Sequence, residues 1–450
     1  MFSDYRYLHE RGGLYTLHDG IFQPVEADHL AHPTSQRILA DPTSDFFRIP
    51  FDLVCFAREG KLLESFSMTP GDFNPGSPFS TFQAVRANVH DGTLLYPRMY
   101  LYPTAACNSR CQICQFENRH RIGAHLSVEA MEEALGVLRA HRGTLSSQAL
   151  IVSGDGEPTI YPHIDRLLEL AGRDGLRVFL TTNLLVSPKA RPRLYELLAA
   201  SCRMITVSIK GLSPDAYRKH QGRPGFDQAM RHLEMLCELR EQCGNTQLNI
   251  GVASLILPEN TGTYAAMTRR FAALGIDYVY LNQVEPSPER WGIVFTEEQK
   301  TATLAELAKM PRQPGLLVRY ADNPFMMRYD STAYYDAAEN NENPICGSAL
   351  LNPLVLAGAD GNGRWMACRN SELFEDEAYR FEIKDGVVDG ASVSKVMRAC
   401  QKCHTCRLER QVKHIDRLYS IETRYDRGEY LLRFDLAREG GHLSFDQVAQ

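Results

Sequence analysis

The chain has 450 residues, of which 44% are hydrophobic and 23% charged, a composition typical of a globular protein with one large catalytic domain and smaller additions. Its formal net charge of −6 gives no basic surface for nucleic acid, and no apolar stretch approaches the roughly 20 residues that cross a membrane. The N-terminus has no signal-peptide core and export would oxidise the thiols of its 12 cysteines, so we expect a cytoplasmic protein.

The first 95 residues contain short runs with the alternation of β-strands, separated by turn residues. They end in TPGDFNPGSPF, a segment rich in proline and glycine that is typical of a loop or linker. We therefore predict a β-rich N-terminal segment over residues 1–95, which packs on the edge of the next domain or contributes to its pocket.

Residues 96–310 alternate between strand-length apolar runs and helical periodicities, including a helix after the N-cap residue Ser127. The six predicted strands are 98–102, 149–153, 177–182, 204–209, 248–256 and 278–284. Strands that alternate with helices form a parallel sheet with right-handed crossovers, and six strands fall short of the eight in a closed barrel. We predict an α/β fold, an open (β/α)6 partial barrel of the TIM type, with its site at the carboxyl ends of the strands.

Three cysteines with the spacing C-x3-C-x2-C follow the first of these strands: Cys107, Cys111 and Cys114. Three thiolates on one loop can hold three irons of a four-iron cluster and leave the fourth iron open for a small molecule. The alternative is a zinc loop, although structural zinc sites usually come as two spaced pairs and no second pair lies nearby.

The second predicted strand runs into the turn SGDGEPTIYP, which contains Gly154, Gly156, Glu157 and Pro158. Glycines after a strand expose backbone amides and carbonyls to a ligand. The alternative is an ordinary strand-to-helix turn that carries a helix cap.

The cysteine spacing and this turn together resemble the radical S-adenosylmethionine (SAM) superfamily and its GGEP motif, with Asp155 where the first half of the motif varies. The resemblance implies that SAM binds the open iron through its amino and carboxylate groups and is cleaved reductively to a 5′-deoxyadenosyl radical. It also implies that the turn holds the methionine amino group of SAM, for which a nearby carboxylate is a suitable partner. An open partial barrel is the fold that the resemblance implies.

The same resemblance suggests further cofactor-binding residues. Asn183 stands at the end of the third strand, and Ser208, at the end of the fourth, would reach the ribose or the methionine end of SAM. The residue before the third cysteine is commonly aromatic in the superfamily and packs beside the adenine; here it is Ile113, and Phe116 could cover the base. For the polar residues the alternative is a helix cap or a strand-end hydrogen bond.

Candidate catalytic residues lie after the cysteines and at the end of the sixth strand: His120, Asn282 and Glu285. A carboxylate and amides at the mouth of the barrel could bind hydroxyl and amino groups or transfer a proton. The alternative for each residue is a solvated loop.

A second cysteine group occupies residues 311–410 and consists of Cys346, Cys368, Cys400, Cys403 and Cys406. Its G-x4-C element followed by C-x2-C resembles the SPASM/Twitch extension of the superfamily, which implies an auxiliary [4Fe-4S] cluster held by four of the five thiols. The alternative is a structural zinc site of four thiolates. Residues 411–450 form a charged C-terminal tail.

The strings YLYPTAAC, SIKGLSPDAY and NIGVA…ILP loosely resemble the radical SAM deaminase of desosamine biosynthesis and, in general plan, dehydratases and epimerases of aminoglycoside biosynthesis. The resemblance implies a lyase that abstracts hydrogen from an amino sugar, aminocyclitol or sugar nucleotide and then eliminates water or ammonia. It also implies an external electron donor such as flavodoxin or ferredoxin. The alternatives are dehydrogenation or epimerisation of such a sugar, maturation of a ribosomal peptide, and a non-catalytic zinc protein.

Overall fold

The computed structural model describes much of the chain. Near the two ends of the chain, it describes the backbone of several strands. The described segments are 5–8, 13–18, 21–24, 54–58, 61–66, 94–96, 98–114, 123–143, 148–245, 248–282, 284, 291–310, 316–320, 353–367, 375–401, 432–436 and 443–447.

The N-terminal segment is β-rich, as predicted. Its strands are β1 (Tyr5–Leu8), β2 (Gly13–His18), β3 (Ile21–Pro24), β4 (Val54–Arg58) and β5 (Lys61–Phe66). They form an antiparallel sheet in the order β1-β2-β3-β5-β4.

A larger sheet has nine strands, in the order β12-β11-β10-β9-β8-β7-β6-β13-β14. Its strands are β6 (Arg98–Tyr102), β7 (Ala149–Val152), β8 (Arg177–Thr182), β9 (Cys202–Ser208), β10 (Asn249–Leu255), β11 (Tyr278–Asn282), β12 (Leu317–Tyr320), β13 (Leu354–Ala357) and β14 (Gly363–Met366). Neighbouring strands from β12 to β13 run parallel, and β14 is antiparallel to β13. The predicted α/β fold and all six predicted strands, β6 to β11, are confirmed, and β12 and β13 widen the sheet on its two sides.

Helices connect the parallel strands. They are α1 (Val128–Ala140), α2 (Ile164–Arg173), α3 (Leu194–Ser201), α4 (Pro214–Gln221), α5 (Phe226–Cys243), α6 (Tyr264–Ala273), α7 (Glu297–Ala308) and, after the sheet, α8 (Gly390–Gln401). The predicted N-cap is confirmed, because Ser127 Oγ accepts a hydrogen bond from the Ala130 N–H at 3.1 Å. Within the described residues, no helix combines the length and apolar character needed to span a membrane.

Two short antiparallel pairs complete the described elements. They are β15 (Ile383–Lys384) with β16 (Val387–Val388), and β17 (Leu432–Leu436) with β18 (Leu443–Gln447).

The core lies on both faces of the parallel sheet, because its central strands are apolar without alternation. All four residues of β7 are buried, and so are the last four of β6. Cys202 and Cys237 belong to this core, as predicted. A buried ion pair between Arg240 and Asp277 (2.6 Å) fixes the start of β10, because Asp277 also accepts a hydrogen bond from the Ile250 N–H.

His141 joins the parallel sheet to the C-terminal region. Its Nδ1 lies 2.8 Å from the Leu94 carbonyl oxygen, and its Nε2 lies 3.0 Å from the Val388 N–H. A carbonyl can only accept and an N–H can only donate, so the ring is neutral with its proton on Nδ1.

We expect acidification below about pH 6.5 to destabilise the wild type more than the His141→Gln variant. Burial lowers the pKa of His141, so the unfolded chain takes up a proton that the folded ring resists. This contribution to stability is therefore present above about pH 6.5 and is lost as the pH falls. Glutamine keeps a donor and an acceptor without titrating. Urea unfolding of both proteins at about pH 7.5 and pH 5 measures the difference, and an equal loss in both would contradict it.

Candidate functional site

The cysteine loop, residues 103–114, leaves the carboxyl end of β6, where the parallel sheet was predicted to place a site. Cys107, Cys111 and Cys114 are half-buried in it, so their sulfurs are sheltered but within reach of a ligand. Burial raises the pKa of Cys107 to about 12, and binding of a metal would therefore have to displace a proton.

The start of the loop is tied down by local hydrogen bonds. Thr104 pairs with His125 through the backbone, and its Oγ1 lies 2.8 Å from the His125 ring. The Ser109 N–H points at Cys107 Sγ from 3.4 Å. Hydrogen bonds to cluster sulfurs are one way in which a protein sets the reduction potential of a cluster.

The glycine turn after β7 packs directly against this loop. Gly154 has a φ of +129° and faces the ring of Tyr102, and a Cβ on Gly156 would overlap the backbone carbonyls that precede the first cysteine. The Glu157 N–H donates to the Ala106 carbonyl at 2.8 Å. The glycines therefore permit close backbone contact between two loops. Pro158 is buried and begins a short 3-10 helix.

The side chain of Glu157 is buried, and both of its carboxylate oxygens accept hydrogen bonds from other groups of the protein. Its Oε1 accepts hydrogen bonds from the Thr159 N–H (3.0 Å), the Thr159 hydroxyl (2.6 Å) and the Thr182 hydroxyl (2.5 Å). Its Oε2 accepts from the Asn183 N–H at 2.7 Å. Burial raises the pKa of Glu157, and these hydrogen bonds act in the opposite direction.

A second element that holds the cysteine loop is the carboxyl end of α4. The Arg110 N–H donates to the Gln221 carbonyl at 3.3 Å, and the Gln112 N–H donates to the His220 carbonyl at 3.1 Å. The last carbonyls of a helix lack intrahelical partners, so the loop satisfies them. Sequence reasoning missed this contact, although a glycine directly after a short helix is a signal for its end.

Two side chains add to this attachment. Arg223 Nη1 donates to the Asn108 carbonyl at 2.8 Å, and Gln112 Nε2 donates to the Trp291 carbonyl at 2.7 Å. The loop is thus bound to chain segments that follow β9 and β11. It is also bound to the segment after β7, through the Glu157 N–H, and to the segment after β8, through a hydrogen bond from Asn183 Nδ2 to Asn108 Oδ1.

The ends of β9 and β10 are joined through the carbonyl of Lys210, the second residue after β9. Ser208 is half-buried as the last residue of β9. Burial raises the pKa of Cys111, and the positive charge of Lys210 acts in the opposite direction with a smaller effect. Ser254 Oγ and Asn260 Nδ2 both donate to the Lys210 carbonyl, at 3.1 and 3.2 Å. Ser254 and Asn260 therefore make strand-end hydrogen bonds.

The remaining predicted site residues divide into three groups. Ile113 is half-buried and packs against the core, and Asn282 is exposed at the end of β11. Cys400 lies in α8, but its side chain is outside the described part of the structure. The predictions that fall wholly outside the described residues concern Phe116, His120, Glu285, Cys346, Cys368, Cys403 and Cys406.

The donor set of the loop fits a four-iron cluster. Residues 103–114 contribute three cysteine thiols, enough for three irons of such a cluster and one short of the four thiolates of a closed zinc site. In a cluster each thiolate binds its own iron, whereas a zinc ion gathers its ligands around one centre, with sulfur at about 2.3 Å. Fold and loop together define a class: an α/β protein that presents three thiols at the carboxyl end of a parallel sheet.

Comparison with known families identifies the superfamily. Residues 101–252 match the family described as the radical SAM superfamily, so this part of the chain is a radical SAM domain. Members of this superfamily are enzymes that use a [4Fe-4S] cluster and SAM, which are therefore the cofactors of this protein. The chain has no match among curated proteins.

Several solved structures are similar to the chain at low identity. Streptococcus suis SuiB bound to precursor peptide SuiA is 13% identical, with 83% of each chain covered and a TM-score of 0.46. Native anSMEcpe with bound AdoMet is 12% identical, with 74% of this chain and 97% of that chain covered and a TM-score of 0.45. Methylornithine synthase (PylB) is 14% identical, with 54% of this chain and 71% of that chain covered and a TM-score of 0.33.

Proposed function

We propose that Cys107, Cys111 and Cys114 hold the radical SAM cluster and that the enzyme dehydrates or deaminates an amino sugar, aminocyclitol or sugar nucleotide. The observation that carries the first part is the attachment of the half-buried three-cysteine loop to four segments at the carboxyl edge of the sheet. The substrate class rests on the resemblance of three sequence strings to sugar deaminases.

The chain contributes binding and orientation. When bound, the cluster and SAM supply a reductively generated, hydrogen-abstracting radical. The backbone of the turn around Gly154 and Gly156 lies against the loop and would contact the methionine end of SAM. Leu255 and Ile256 are buried at the end of β10 and directly after it, where they would exclude water beside the adenine. Lys210 places a positive charge beside Cys111, which favours a ligated, anionic loop.

The substrate would lie on the β11 side of the sheet. Asn282 is exposed there, and its amide can donate to and accept from hydroxyl or amino groups of a sugar. We assign proton transfer to Glu285 or His120 and the C-terminal cysteines to an auxiliary cluster, with structural zinc as the alternative. An external flavodoxin or ferredoxin would supply the electron.

We expect amino sugars or aminocyclitols to stimulate 5′-deoxyadenosine formation by the reduced, cluster-replete protein above its substrate-free background. In the Asn282→Ala variant, the substrate concentration needed for half of this stimulation should rise by about tenfold, because a substrate hydrogen bond is lost. Background cleavage of SAM should be unchanged, because the Asn282 side chain is exposed at the end of β11 and makes no described contact with the cysteine loop.

Chromatographic quantification of 5′-deoxyadenosine and of the sugar product checks both expectations. Background levels with every sugar tried, together with stimulation by a peptide, would contradict the sugar assignment and favour peptide maturation. Sugar-dependent cleavage that yields a ketone or an epimer would retain the substrate class and change the reaction.

A further inference from the structure

We propose that Asn183 and Glu157 are positioning residues for the cysteine loop and that their side chains fix the segment between Cys107 and Cys111 before SAM binds. The inference rests on the proposed cluster function and deepens it. It differs from the sequence-based prediction, in which both residues contact SAM.

The side-chain amide nitrogen of Asn183 donates its hydrogen bonds to the cysteine loop. Its Nδ2 donates to Asn108 Oδ1 at 2.6 Å and to Ser109 Oγ at 3.1 Å, and its Oδ1 accepts from the Leu185 N–H at 3.0 Å. An asparagine amide has two N–H donors, and both are used here. Asn108 and Ser109 stand between the first two cysteines, so this amide determines where that segment lies.

Glu157 in turn fixes Asn183. Its Oε2 accepts a hydrogen bond from the Asn183 N–H, and its Oε1 accepts hydrogen bonds from the hydroxyls of Thr159 and Thr182. Only 3% of Glu157 is exposed, and four hydrogen bonds occupy its two oxygens. A carboxylate in this state is a structural acceptor and is not open to the ammonium group of SAM.

The backbone after Asn183 is held in an unusual conformation. Leu184 has a φ of +55°, which is uncommon for a residue with a Cβ. Its N–H donates to Thr182 Oγ1 at 2.9 Å, and its carbonyl accepts from His232 Nδ1 at 2.8 Å. Strained residues persist where their surroundings over-determine them, and this one turns the chain directly after the amide that holds the loop.

The test compares Asn183→Ala with Gln148→Ala. Gln148 is also a buried amide with two donated hydrogen bonds, to the Tyr96 and Leu138 carbonyls, but it precedes β7 at the opposite end of the strands. The first readout is the EPR spectrum and midpoint potential of the reduced cluster before SAM is added. The second is the rate at which iodoacetamide labels the first two cysteines in the apoprotein, with the exposed Cys243 as internal reference.

In Asn183→Ala we expect an altered SAM-free spectrum and about fivefold faster labelling of Cys107 and Cys111, the effect of losing one net hydrogen bond. Gln148→Ala should change neither readout. A spectrum that equals the wild type without SAM and changes only after SAM is added would overturn the proposal and make Asn183 a direct SAM ligand.

Asn108→Ala removes the same contact from the loop side without altering the sheet, and it replaces Asn183→Ala if that variant fails to fold. Wild-type labelling and spectrum in Asn108→Ala would also overturn the proposal. A wild type that retains no iron would refute the cluster function, whereas the labelling rates of the apoprotein would still decide the positioning role.

Discussion

The Gly222→Ala protein is expected to retain about four irons after anaerobic reconstitution where the wild type retains about eight, because the cluster on the cysteine loop is lost and the C-terminal one is kept. Gly222 ends α4 in the left-handed conformation, with a φ of +73°, and a Cβ there would overlap the backbone carbonyl of Arg110. Both groups belong to the backbone, so neither can move without displacing the loop or the helix end. The hydrogen bonds from Arg110 and Gln112 to α4 would be lost with that displacement.

Gly244→Ala is the matched control for this prediction. Gly244 also ends a helix, α5, with a φ of +63°, but among the described residues nothing lies within 4 Å of the position that a Cβ would occupy there. Both substitutions carry the cost of a left-handed alanine, about 1–2 kcal/mol, and only Gly222→Ala adds the clash. Iron analysis and thermal unfolding of both variants separate the two effects. Equal iron retention in both would show that contact with α4 does not hold the loop.

Replacing any one of Cys107, Cys111 or Cys114 with alanine is expected to reduce SAM cleavage by more than about a hundredfold. Removing a ligand should cost at least as much as removing a partner of a ligand, which typically costs about 10–100-fold. Cys237→Ala is the control, because this thiol is buried in the core, within α5. Chromatography of 5′-deoxyadenosine measures the difference, and substantial cleavage by all three single variants would contradict the assignment of the ligands.

The sequence predicts the parallel sheet well because its strands are apolar on both faces and alternate with amphipathic helices. It does not predict β12 and β13, which have only four residues each. The partner of β13 is β6, which lies far earlier in the chain, and a pairing of that kind depends on tertiary structure. Three strands of the large sheet, β12, β13 and β14, therefore come from a region predicted as a separate cysteine-rich domain.

The functional site, like the fold, is predicted only in part by the sequence. Strand ends and spacing predict that the cysteine loop, the glycine turn and Asn183 lie at one edge of the sheet. They do not predict which side chains hold one another, because Glu157 and Asn183 use their hydrogen-bonding capacity on segments distant in sequence. Arg223 carries no motif, and its contact with the loop follows only from the position of α4.

Iron and sulfide per chain, measured in the wild type and in a Cys107/Cys111/Cys114→Ala triple variant after anaerobic reconstitution, test the central claim most directly. We predict about eight irons in the wild type and about four in the variant, with the remaining four on the C-terminal cysteines. A fall from about four irons to none, with one zinc retained, would keep the radical cluster and replace the auxiliary cluster with a structural metal. Equal iron in the two proteins would contradict the claim that these three cysteines hold a cluster.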